Sequence, residues 1–435
     1  MNVNNAWEKL FEKYDIQNKI IQDGYYSISA NEIKEFKEPR LMAKWDSSES
    51  LPQIFKKNKI NILPDSRGTY ILSDFKLYEK IPELVEHVTK MQKVEVPEYE
   101  SIDVKNITSE SNAINVLLLS NIIDDFLCAD LTDNYVSTFD GRMGTGQFEY
   151  RVDRYRGTPL KINVEGAQCE IDAGLENSNS VVIMEAKNVV YPDFHIRQLY
   201  YPYRLWKNKV KKPIRLVFSI YSNQIYRLFE YEFLDIENYS SIKLINEKNY
   251  SLQDTEISNQ ELWDTYLKTR VLTSDDMNLT ETPFIQADSF ERVISLLEIL
   301  SSEEKTSEEI AEIMQFDIRQ SGYYFNAGKY LDLFEKKTVE DELGNTVVKV
   351  FATKLGKEIN KLNYKSRQLE LVSLILQHKI FNVLFKDTYN KGNLPDRNEV
   401  KRLMKEYNVC NEGVISRRAT SVISWIKWIM NLTNI

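Results

Sequence analysis

Cysteine and histidine are scarce in this 435-residue chain, with three of each. Cys128, Cys169 and Cys410 lie far apart and form no CxxC pair. That spacing excludes the usual structural zinc sites and a disulfide framework, and it suits a reducing cytoplasm. Glycine (14) and proline (11) are too few for long flexible linkers. No apolar run reaches the roughly 18 residues a membrane helix needs. The opening MNVNNAWEKLFEKYD is polar and charged, so it does not read as a secretory leader.

What is present is a long, ordinary globular composition, 42% hydrophobic and 28% charged. That length predicts about two to four domains. The 25 tyrosines and 19 phenylalanines are enough to fill several cores and to stack on bases besides. Net charge is −9, which argues against a uniformly basic nucleic-acid binder, but its distribution is uneven. Residues 361–435 hold 13 Lys and Arg against 6 Asp and Glu, a net +7, while Asp235–Glu281 is acidic. A basic end on an acidic chain fits a local phosphate-binding face or a plain solvated surface.

Hydrophobic periodicity divides the chain into four expected units. Residues 1–100 read as helices followed by a hairpin, INILP and TYILSDF around Asp65-Ser66-Arg67-Gly68. This is either a winged-helix-like DNA-binding unit, facing DNA with Arg40, Lys44, Lys56, Lys57 and Arg67, or an α+β packing unit. Residues 101–265 run from a helix, through antiparallel strands and a second helix, to two further strands, which predicts a mixed sheet flanked by helices. Residues 285–360 give three helices and a hairpin, the winged helix-turn-helix order. Residues 361–435 are helical, with a second helix-turn-helix-like pair near the end. The expected fold is therefore α+β and multidomain.

The chemistry concentrates where a strand ends in charge. Val181-Val182-Ile183-Met184 is apolar and runs into Glu185-Ala186-Lys187, and Asp172 lies one hairpin upstream. Phosphodiester hydrolysis needs a divalent cation to neutralise the phosphate and to acidify water. Two carboxylates on adjacent strands, with the Ala186 carbonyl between them, suit Mg²⁺ through oxygen. Lys187, two residues after Glu185, points to the same strand face and reaches the same water. An ExK triplet alone is weak, since most such pairs are solvated; its place at the end of the most apolar strand of the region is what singles it out.

IDAGLE…VVIMEAKN followed by FHIRQLYYPYRLW resembles the PD-(D/E)xK nuclease core of type II restriction endonucleases over residues 165–206. Ile171 stands where that motif has its Pro. The resemblance implies a central restriction-endonuclease-like sheet and Mg²⁺-dependent cleavage of double-stranded DNA to 5′-phosphate ends. It makes Asp172 and Glu185 metal ligands and Lys187 the catalytic lysine. It also brings in Gln198, beside Arg197, on the following helix, and a further acid, for which Glu110, Glu149, Glu165 and Glu170 are the candidates. Tyr200, Tyr201 and Tyr203 are expected in the core, and His195 on the surface.

Recognition is assigned to the third helix of the 285–360 unit. Arg319, Gln320, Tyr323, Asn326 and Lys329 share its outer face, with Tyr324, Gly328 and Leu331 facing inward. Arg suits guanine, and Gln or Asn suits adenine, in the major groove. Lys349 on the hairpin, with Arg417 and Arg418, is assigned to phosphate. The expected function is a cytoplasmic restriction endonuclease with a cognate DNA methyltransferase as genetic partner; a palindromic site would match a homodimer. The alternatives are a repair or recombination nuclease of the same fold and a winged-helix transcriptional regulator with an inactive nuclease-like domain.

Overall fold

The computed structural model describes residues 2–434 apart from 85–88, 91–98, 105–106, 108, 274–282 and 341–343. Helices α1 (Val3–Tyr14) and α2 (Ile16–Asp23) open the chain; Ala6, Trp7, Leu10 and Phe11 recur at helical spacing and are buried. Strand β1 (Tyr26–Ser29) leads into α3 (Ala30–Lys34), whose first turn is fixed by a Ser29–Glu32 capping box. Then come α4 (Arg40–Ala43) and α5 (Gln53–Asn58), the latter starting directly after Pro52. The hairpin β2 (Asn61–Pro64) and β3 (Thr69–Ser73) forms as expected, with β1 added to its far side in the order β1-β3-β2. Phe55 packs edge to face with Trp7 and Trp45 at the centre of this unit, and the two indoles are tilted against each other, with ring centroids 4.8–6.3 Å apart.

The middle of the chain carries β4 (Tyr78–Lys80), β5 (Thr89–Lys90), α6 (Glu110–Leu119) and α7 (Ile122–Phe126). The helix expected at the start of the 101–265 unit is thus two, separated at Asn121, whose backbone is left-handed. Next are β6 (Val136–Gly144), the hairpin β7 (Gln147–Val152) and β8 (Leu160–Glu165), then β9 (Gln168–Glu176), β10 (Val181–Lys187) and β11 (Asp193–His195). Helix α8 (Arg197–Lys207) continues through Pro202 and is followed by β12 (Ile214–Ser222), β13 (Ile225–Phe233), β14 (Ile242–Ser251) and α9 (Asn259–Lys268). The seven-stranded sheet has the order β5-β14-β13-β12-β10-β9-β6, with β10 and β12 parallel and β9–β10 an antiparallel hairpin. It is the expected mixed sheet.

The sheet separates two cores. Val182, Met184 and Val217 meet α6 and α7, whereas Ile183, Leu216 and Phe218 join the larger core containing α8. Gly174 on β9 admits the Phe139 ring; a Cβ there would sit 2.2 Å from it.

The rest of the chain is α10 (Phe290–Ser302), α11 (Ser307–Ile313), α12 (Ile318–Tyr330), the hairpin β15 (Phe334–Glu340) and β16 (Thr346–Ala352), then α13 (Lys354–Asn360), α14 (Tyr364–Leu376), α15 (Lys379–Lys391), α16 (Arg397–Glu406) and α17 (Glu412–Asn431). Tyr324, Gly328 and Leu331 face inward, with the Phe334 ring packed where a Cβ of residue 328 would be. Among the described residues, no helix is long and apolar enough to cross a membrane.

Candidate functional site

Backbone pairing between β9 and β10 ends at Ala173–Met184. Asp172 and Glu185 would form the next rung, but there the strands part. β10 continues alone against β12 as far as Lys187, opposite Ile220. Beyond the fork the Ala186 N–H donates to the Asp172 carboxylate at 2.9 Å. In an extended strand one residue's N–H and C=O point to the same edge, so the Ala186 carbonyl also faces Asp172.

Glu185 and Lys187 are almost fully buried, at 6% and 7% exposure. Lys187 Nζ donates to Glu185 Oε1 at 2.6 Å, and Gln198 Nε2, from the first turn of α8, donates to the same oxygen. Burial pushes the Glu185 carboxyl up to about 8; Lys187 opposes this and Asp172 adds to it. Lys187 feels the opposite balance: burial disfavours its charge, but Glu185, Asp46, Glu110 and Asp172 outweigh it and hold the proton. Four carboxylates thus act on one buried lysine, an arrangement that favours a further cation.

The site opens into a cleft of about 810 Å³ lined also by Arg40, Lys44, Asp46, Asn188 and Tyr191. Among the described residues, no three His, Cys, Asp or Glu side chains are grouped so as to hold a metal ion. Mg²⁺, however, is usually held by one or two carboxylates with waters. Asp172, Glu185 and the Ala186 carbonyl fit that need. The buried oxygens Gln198 Oε1 and Asn188 Oδ1, both on residues lining the cleft, have no hydrogen-bond partner among the described residues. Buried acceptors without donors are costly and are rarely left so.

The candidate acids separate clearly. Glu110, at the start of α6, lines the cleft, and burial pushes its carboxyl up. Glu170 also lines the cleft, but it is half exposed and ion-paired with Arg142 at 3.2 Å. Glu149 and Glu165 lie on the β7–β8 hairpin, bound to Lys161 and Gln147, and are not among the cleft residues. His195 corrects the surface expectation. It is 6% exposed because β11 pairs with β4, which packs its ring against Tyr78; its Nδ1 accepts from the Arg197 N–H and lies 3.2 Å from the Tyr239 hydroxyl. Burial, aided by Arg197, holds the imidazole well below its ordinary range, so it stays neutral. Tyr200 and Tyr201 are buried as expected, and Tyr203 is partly so.

Asp46 had no signal in the sequence. It sits in a loop 126 residues from Asp172, within Trp45-Asp46-Ser47-Ser48. Its N–H donates to Gln315 Oε1 at 2.9 Å and its carbonyl accepts from the His195 N–H at 3.0 Å, which clamps it between the first and last parts of the chain.

The expected DNA readers do not form one surface. Arg319, Gln320, Tyr323 and Arg417 line a second cavity, of about 720 Å³, that shares Tyr191 with the first. Asn326 and Lys329 lie further along α12 and are not among its lining residues. Lys349 is engaged by Glu304 at 3.6 Å, and Arg418 is half-buried beside Cys410. Both thus have partners within the chain.

Three family models match the chain, each for a domain of unknown function: DUF6996 over residues 4–72, DUF6997 over 73–251 and DUF7226 over 292–434. The fork and its charges lie within the second. Both cavities draw residues from all three stretches. No curated protein sequence and no solved structure matches.

Proposed function

We propose that the chain is a Mg²⁺-dependent endonuclease acting on double-stranded DNA, in the manner of a type II restriction enzyme. The observation that carries this reading is the fork. Two carboxylates, a lysine and an amide converge where β9 and β10 part, at the wall of a cleft open to a polymer. The path β10–α8–β12, with β10 and β12 parallel, supports a restriction-endonuclease-like core. The order α10, α11, α12, β15, β16 supports a winged helix-turn-helix module beside it.

When bound by Asp172, Glu185 and the Ala186 carbonyl, Mg²⁺ supplies charge neutralisation at the phosphate and a more acidic water. Lys187 is held protonated by its carboxylate surroundings, so it orients the attacking water and offsets charge on the non-bridging oxygens. Gln198 holds Glu185 in place. Arg40 and Lys44, which also line the cleft, supply positive charge for the DNA backbone. The protein would act in the cytoplasm beside a cognate methyltransferase, as a dimer if its site is palindromic.

Incubating the full chain with plasmid DNA of known sequence, with Mg²⁺ and with chelator, tests this. Discrete bands in Mg²⁺ alone support restriction. A smear supports the repair-nuclease reading, and intact plasmid under both conditions removes the nuclease assignment.

A further inference from the structure

The second cavity, between α5, α10, α12, α17 and the Val190–Pro192 segment, contains a buried charge that makes no ion pair among the described residues. Arg227, on β13, is 5% exposed. Among the described residues its side chain makes one hydrogen bond, from Nη2 to the Pro82 carbonyl, and no ion pair, and its Nε is buried without a partner. A buried cation without an anion is strongly disfavoured. The other arginines and lysines of the cavity divide into two sets. Arg292, Arg319 and Lys427 are paired with Glu49, Asp317 and Glu83. Lys56 donates to the Glu49 carbonyl, Arg417 makes a long 3.4 Å contact with Gln286, and neither is ion-paired among the described residues. Of the acids, Asp288 accepts from Ser421, and Glu291 makes no ion pair among the described residues; burial pushes its carboxyl up, and Arg227, the strongest opposing charge, offsets this only in part.

Three unpaired cations thus face a cavity of about 720 Å³, within the range of about 300–1,000 Å³ typical of ligand sites. The remaining wall supplies what a base uses. Tyr323 and Trp428 offer aromatic surface, and the amides of Gln320 and Asn431 offer paired donors and acceptors.

We infer that this cavity binds a phosphate-bearing nucleotide group, with Arg227, Lys56 and Arg417 on the phosphate and the aromatic and amide residues on the base. The group is either a nucleotide of the DNA that also lies in the first cleft, beyond Tyr191, or a free mononucleotide. The inference stands on this cavity's charges and does not require the nuclease reading.

The test is equilibrium binding to the full-length chain in chelator, so that cleavage plays no part. The probes are a synthetic DNA duplex, deoxyadenosine 5′-monophosphate and inorganic phosphate. The variants are Arg227→Met, Lys56→Gln and Arg417→Gln; the last two sit at partly exposed positions and keep the test valid if the first folds poorly. If the source is DNA, each variant weakens duplex binding by about tenfold and lowers the salt dependence by about one cation, with no mononucleotide binding. If the source is a free nucleotide, the mononucleotide binds the wild type, the variants lose it, and duplex binding is unchanged. Equal binding by wild type and variants for every probe overturns the inference, as does a wild type that binds none of them.

Discussion

The two cavities share a wall at Tyr191 and settle their charges in opposite ways. At the fork four acidic side chains act on one buried lysine. In the second cavity a buried arginine makes no ion pair among the described residues, and Glu291 offsets its charge only from a distance. The first arrangement suits a cation, the second an anion. A single nucleic-acid strand with its own metal ion would answer both, one on each side of the Tyr191 wall.

The sharpest way to break this contrast is at the fork. Asp172→Ala removes one metal ligand and the acceptor of the Ala186 N–H. Cleavage should fall by on the order of 10³-fold or more, about 4 kcal/mol, while DNA affinity stays near wild type. Single-turnover cleavage and a binding isotherm check both halves.

The next effect compares two buried arginines. Arg367 Nη1 donates to Glu298 at 2.8 Å, in a pair that joins α14 to α10, and Arg367 is 2% exposed. Arg367→Met removes the counter-charge of Glu298, which keeps its hydrogen bonds from Ser222 and Asn223, and should lower stability by about 3 kcal/mol or more. Arg227→Met breaks no ion pair among the described residues, only a longer-range attraction to Glu291, and should change stability by about 1 kcal/mol or less. Denaturant unfolding of the two variants reads the difference; equal losses would mean that Arg227 is paired after all.

Gln198→Ala should cost about 10- to 100-fold in cleavage, the usual scale for a group that positions a ligand. Raising Mg²⁺ should recover part of the loss, which a merely destabilised fold would not do.

The smallest effect lies in His195 and His378, which are buried and make no ion pair among the described residues. His378 stacks on Tyr330 at 3.7 Å and burial pushes its imidazole down to about 4. Its folded value lies below the ordinary 6.5, so the unfolded chain takes the proton first. Its contribution is fully present above pH 6.5 and is lost as pH falls toward 4, by up to about 1.4 kcal/mol per unit. His195 acts in the same direction. His378→Gln should flatten this part of a stability–pH profile.

Much of the fork was legible in the sequence because its signals are local. An apolar strand, a turn of four small polar residues and an ExK triplet all lie within Asp172–Lys187, and strand alternation puts Glu185 and Lys187 on one face. Gln198 followed from the next helix. Asp46 was not legible, because its place depends on a loop clamped by Gln315 and His195, far away in sequence. Arg227 was hidden for a related reason. Within IYRLFEYEF it reads as a polar residue of an alternating strand, but that strand is internal to the sheet and nearly every position on it is buried. β6 and β14 also escaped notice. β6 is an edge strand with exposed, bulged and glycine-containing sequence, and its pairing with β9 comes from the tertiary fold. The reader residues were assigned from helical spacing alone, which fixes a face but not what packs against it.

The most direct measurement is Mg²⁺-dependent cleavage of plasmid DNA by the wild type beside Lys187→Ala, with DNA binding measured on the same preparations. If the fork is the catalytic centre, the wild type cuts to discrete fragments, and Lys187→Ala binds the same DNA without cutting it. Full cleavage by Lys187→Ala, or none by a folded wild type that binds DNA, would contradict that assignment.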